Sequence, residues 1–196
     1  MASETQIAKL ALQHIGDRYD ITDLSEESVE AEQVNLIFDD TRDWLLRQFP
    51  WNFATSYATP AALTGTVPNN FDYMYTYMTD AVRVLRVVDP LGLDTKIPFE
   101  VARNSSDIKV ILTDQSDAEF RYTKRINDTS QFDPEFTMGL SYALAAKLAM
   151  PLTGDRAIMS DMATLARSVI NSAWATDANE GKTDEAPDAD WIKARA

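Results

Sequence analysis

The chain contains no cysteine, one histidine (His14) and six glycines among 196 residues. Without cysteine there is no disulfide framework, zinc–thiolate site, iron–sulfur cluster or thiol nucleophile. The two closest glycines, Gly139 and Gly154, are too far apart for a dinucleotide fingerprint or a phosphate-cradling loop, so neither is expected. A Ser-His-Asp relay or a multi-histidine metal site would have to be built on His14 alone. The reading adopted for His14 is therefore a plain one, a cation complementing the C-terminal end of the first helix. Basic residues are also scarce: 18 Lys and Arg stand against 31 Asp and Glu, a formal charge of −13. A protein that draws its affinity from neutralising phosphates needs the opposite balance. Long apolar runs are missing as well. The stretch from Phe136 to Leu152 is too short to span a bilayer and carries Lys147 in its middle, so no membrane association is expected. The opening Met-Ala-Ser-Glu-Thr-Gln has neither a basic nor an apolar leader region, so no secretory signal is expected.

Apolar residues make up 45% of the chain, enough for one domain with a substantial core. Ser3 and Gln6 form a capping-box pattern ahead of Ile7, Leu10, Ala11 and Ile15, which predicts a helix over 4–15 stopped by Gly16. Ser25 followed by Glu26-Glu27, then Val29, Val34, Ile37, Phe38, Thr41 and Leu45, predicts a second helix over 26–48 ended by Pro50. Between 54 and 125 the pattern changes to turn residues and short apolar bunches, predicting antiparallel strands near 54–59, 82–88, 97–102, 108–113 and 118–124. Helical spacing returns after Asp133-Pro134. The third helix is apolar on all sides and broken by Pro151 and Gly154, and a fourth follows over 156–175. Residues 177–196 are rich in acids and read as a flexible tail whose deletion leaves the fold intact. The fold class is thus α+β, mainly α. Residues 1–50 and 133–176 form a four-helix core, and 54–125 form a β-rich insertion.

Two features stand out for function. The segment 17–43 holds ten acids and two bases, with Glu26/Glu30 and Asp39/Asp43 each at i,i+4 on the second helix. Paired carboxylates are the one catalytic device that the composition allows. The alternative reading is therefore a carbohydrate-active hydrolase using them. Both members of each pair project from one helix side, however, and a solvated acidic face explains them without chemistry. Such a face lining a channel would let DNA pass without holding it. The second feature is aromatic: nine rings fall between Trp44 and Tyr77. Trp44, Trp51 and Phe53 suit a core hinge. Tyr73, Tyr75 and Tyr77 share one side of an extended segment, with Met74, Thr76 and Met78 on the other, so that the segment needs two apolar partners. One of those is expected to be a neighbouring subunit, and Trp191 is a further interface candidate.

Several stretches resemble the tail tubular protein A family of bacteriophage head-to-tail adaptors. They are Ile7-Ala8-Lys9-Leu10-Ala11-Leu12-Gln13-His14-Ile15-Gly16, Pro50-Trp51-Asn52-Phe53-Ala54, and Tyr75-x-Tyr77 with Asp80-x-x-Arg83-Val84-Leu85. Tyr122 with Arg125-Ile126-Asn127-Asp128 and Phe132-Asp133-Pro134-Glu135-Phe136 continue the likeness, which covers about residues 5–175. Thr79 departs from it, since the family usually has proline ahead of the aspartate. The resemblance implies a non-enzymatic virion protein without cofactors, located in the tail neck and assembled in the host cytoplasm. Its partners would be further copies of itself in a ring, usually a dodecamer, the portal protein and the tail nozzle protein. DNA would pass through the ring without specific binding.

Overall fold

The computed structural model describes residues 2–16, 21–68, 70–92 and 95–180. Among the described residues, four helices and two small antiparallel sheets make a mainly α, α+β fold, with two helices before the strands and two after them. Helix α1 (Glu4–His14) opens on the expected capping box, Ser3 and Gln6 each bonding the other's backbone N–H. Helix α2 (Val29–Gln48) begins three residues later than the sequence predicts. Ser28, not Ser25, is the N-cap, its Oγ accepting from the Ala31 N–H. The residues before it fold into side-chain-locked turns instead. The Glu26 carboxylate accepts from the Thr22 N–H and the Ser28 hydroxyl, and Asp23 accepts from the Ser25 N–H.

Helix α3 (Pro134–Thr153) is the centre of the molecule, packed by α1, α2 and α4 (Arg156–Asn179). Phe136, Leu140, Ala143, Leu144 and Leu148 are buried on one face, as are Ala145 and Ala149 on the other. At Gly139 an added Cβ would lie 3.0 Å from Ile170 Cγ1, so this glycine sets how closely α4 approaches. Pro151 does not break α3. It sits in the last turn, where one lost hydrogen bond is tolerated, and the helix ends at Gly154, whose φ of +68° is the left-handed C-terminal geometry. Helix α4 runs to Asn179, four residues beyond the predicted end, for a tertiary reason given below.

Among the described residues six strands form where five are predicted. β1 (Thr55–Ala58), β6 (Phe120–Lys124) and β3 (Ala81–Val87) make one sheet in that order. β2 (Tyr73–Thr76), β5 (Lys109–Thr113) and β4 (Phe99–Arg103) make the other. The sheets share a core of Tyr75, Val84, Val87, Ile111, Ala118 and Phe120. The additional strand β2 is the tyrosine segment. Its outer edge is closed by the loop before it, through Leu63 N–H to Met74 O at 2.7 Å and Thr76 N–H to Ala61 O at 3.0 Å.

Candidate interaction surfaces

The residues of the second sequence feature divide between core and surface. Trp51 is buried, its indole N–H donating to Leu45 O, and it meets Phe136 edge-on at 5.2 Å. Phe53 and Phe132 close around the same ring of Phe136. The aromatic hinge is therefore the seam between helical body and β insertion. Trp44 stays outside it, half exposed on α2 beside Ala143, Ala146, Ile170 and the cations Lys147 and Arg167.

In the tyrosine segment, Tyr75 is 2% exposed, donating its hydroxyl hydrogen to Gln115 O and accepting from the Ala118 N–H. Met74, on the opposite side, is buried with Val110 and Leu112 beneath Leu63, Val67 and Phe71. Both apolar faces of the segment are thus covered by the chain itself, and the interface reading does not extend to Tyr75. Tyr73 remains partly exposed, and Tyr77 carries Lys109 Nζ 3.5 Å above its ring. Trp191 lies outside the described residues.

The acidic group does not form one face. Glu26 precedes α2. Glu30 and Asp39 are nine residues apart, about half a turn at 3.6 residues per turn, and so lie on opposite flanks of the buried stripe. Asp39 and Asp43 are bridged by Arg42, at 2.9 and 3.0 Å, and Asp43 also takes Arg125 Nε at 2.6 Å. The face that α2 turns to solvent holds instead Val29, Glu32, Leu36, Asp39 and Asp40 at three- and four-residue spacing.

Two further sites were not legible in the sequence. Asp177 is buried, and both its carboxylate oxygens accept from the Asn52 N–H, at 3.0 and 3.2 Å, while Asn52 Nδ2 donates to Asp177 O at 2.6 Å. This latch ties the last turn of α4 to the hinge, which is why the helix continues past 175. The expected tail therefore cannot begin at 177. Asp177 lies near Asp133, Glu135 and Glu180 in a cleft over Trp51. Burial first, then the neighbouring carboxylates, push the Asp133 pKa upward; burial raises that of Asp177 against the Asn52 hydrogen bond. His14 is the second. Its Nε2 lies 3.2 Å from Ser141 Oγ, whose own hydrogen goes to Met138 O, and its ring stacks on Tyr142 at 4.1 Å. Burial lowers its pKa from 6.5, so the ring is neutral at pH 7 and joins α1 to α3, in place of the expected cationic helix terminus.

Among the described residues no helix is long and apolar enough to cross a membrane, and no group of three or more His, Asp or Glu side chains is arranged to hold a metal ion. Neither protein-family models nor curated protein sequences give a match to this chain.

Proposed function

We propose that this chain is a structural head-to-tail adaptor of a phage virion, a ring subunit that joins the portal to the tail nozzle and acts without catalysis. One observation carries the reading: the stretches 50–54, 80–85, 122–128 and 132–136, which bear much of the family resemblance and lie far apart in sequence, converge on the seam between helical body and β insertion. Trp51, Phe53, Phe132 and Phe136 pack there as one aromatic cluster. Asp80 O accepts from the Arg125 N–H at 2.7 Å, and its carboxylate accepts from the Tyr122 hydroxyl. Arg47 at the end of α2 donates to Val82 O at 3.0 Å. These contacts hold two differently built halves in a fixed relation, as a subunit with portal on one side and nozzle on the other requires. The net charge of −13 suits a bore through which DNA passes without being held. The protein then resides in the virion neck after assembly in the host cytoplasm.

The test is assembly with the cognate portal, followed by electron microscopy. Closed rings of this protein seated on the portal are expected; unassociated particles across salt and protein concentration would refute the proposal.

A further inference from the structure

Helices α2, α3 and α4 leave a groove of about 240 Å³ between them. It is lined by Ala143 and Ala146 of α3, by Ala163, Ala166 and Ile170 of α4, and by Trp44 of α2, which keeps 47% of its surface exposed. The concavity follows from the residue types, since four methyl side chains stand opposite an indole. Two cations complete the lining. Lys147 Nζ donates to Thr41 Oγ1 at 2.8 Å, a neutral partner that leaves its charge unmatched, and Arg167 is exposed at the same groove. Among the described residues neither is in an ion pair, and no acid stands within four residues of either along its own helix, in a chain with 31 acids. On α2 the sign reverses, for the exposed Asp40 lies one turn before Trp44. An exposed indole between unmatched charges calls for an apolar anchor that carries the opposite charges on either side.

Residues 181–196 carry that pattern in order: Asp184, Glu185, Asp188 and Asp190, then Trp191-Ile192, then Lys193 and Arg195. They also have the reach. Arg167 lies thirteen residues before Glu180, about 20 Å at the helical rise, and the ten residues from Glu180 to Asp190 span up to about 33 Å when extended. We propose that this segment folds back and straps the groove of its own chain, with Trp191 against Trp44 over the alanines, Asp188 and Asp190 on Arg167 and Lys147, and Lys193 toward Asp40. The chain's own segment fits better than a separate polyanion or a second copy. Those approach against a net charge of −13, whereas a tethered segment is already at hand, at an effective concentration on the order of mM. The strap is a local equilibrium that opens below the global transition, so its loss leaves the melting of the body unchanged. It concerns the single chain and does not rest on the ring reading.

The experiment is fluorine NMR of the full-length chain labelled with fluorotryptophan, the Trp44 and Trp191 resonances being assigned with Trp44→Phe and Trp191→Phe. Trp191→Ala is expected to shift the Trp44 resonance and to leave that of the buried Trp51 in place. Lys147→Glu with Arg167→Glu should lower the docked-to-free ratio about tenfold, as should Asp188→Lys with Asp190→Lys, the combined effect of two exposed ion pairs lost and reversed. All four changes together should restore docking, because each contact then pairs opposite charges again. Circular dichroism verifies that every variant is folded. A Trp44 resonance unmoved by Trp191→Ala overturns the inference. So does a Trp44 shift that grows with protein concentration alongside a dimer in sedimentation velocity, which assigns the groove to the segment of another copy. A shift that ignores both charge reversals puts Trp191 elsewhere and overturns it as well. None of these outcomes bears on assembly with the portal, whose failure would overturn the ring reading alone.

Discussion

At the scale of single residues, the histidine and the tyrosines follow from what surrounds them. His14 sits under Tyr142 and against Ser141, and burial favours its neutral form. Its native pKa is therefore below the unfolded value, so the unfolded chain binds the proton more readily. Its contribution to stability is complete above pH 6.5 and is lost as the pH falls from there through the native pKa. We expect the melting temperature of His14→Gln to fall less than that of wild type between about pH 7.5 and about pH 5, measured by circular dichroism. Asp133 and Asp177 have raised values and act in the opposite sense, so the difference between variant and wild type isolates the histidine. The tyrosines show why spacing alone does not identify an interface. Alternation places Tyr73, Tyr75 and Tyr77 on one side, but which side finds a partner within the chain depends on the loop 61–71 and on the β3–β6 pair. Neither is visible in the segment itself.

At the scale of elements, helix existence and type were legible because apolar spacing and caps are local: Ser3 with Gln6, Asp133 with Pro134, and Gly154 are all read within one turn. Helix ends set by distant contacts were not. The first turn of the predicted α2 goes to the Thr22–Glu26–Ser28 hydrogen bonds, and the last turn of α4 is held by Asn52, 125 residues away in sequence. The Asp177 latch gives a sharp expectation for truncation. A chain ending at Glu180 should melt with the full-length protein. One ending at Thr176 should lose about 1–3 kcal/mol, because the Asn52 N–H loses its acceptor, as read by urea denaturation. Equal stability of the two would show that the latch contributes nothing to holding α4 on the hinge.

At the scale of the whole molecule, one continuous helical core reaches the β insertion through Val82, Trp51, Ala54 and Ile126. Leu144 lies at its centre with no exposed surface. Leu144→Asp forfeits about 2–3 kcal/mol of apolar burial and adds the cost of an unpaired buried charge. Because the seam couples the two halves, the helical signal at 222 nm and the near-ultraviolet signal of the buried tyrosines are expected to disappear together. Retention of the tyrosine signal alone would show that the sheets fold independently of the helices.

The sequence by itself determined the helical and strand-rich stretches, the α+β class and the poverty of catalytic residue types, because those depend on composition and on contacts within a turn or a strand. The tertiary structure alone decided which acids share a face, where α4 ends, that Tyr75 is core, and that Trp44, Lys147 and Arg167 border one groove. Each of these depends on strand register or on a contact between residues far apart in the chain, and neither follows from the spacing of residues along it.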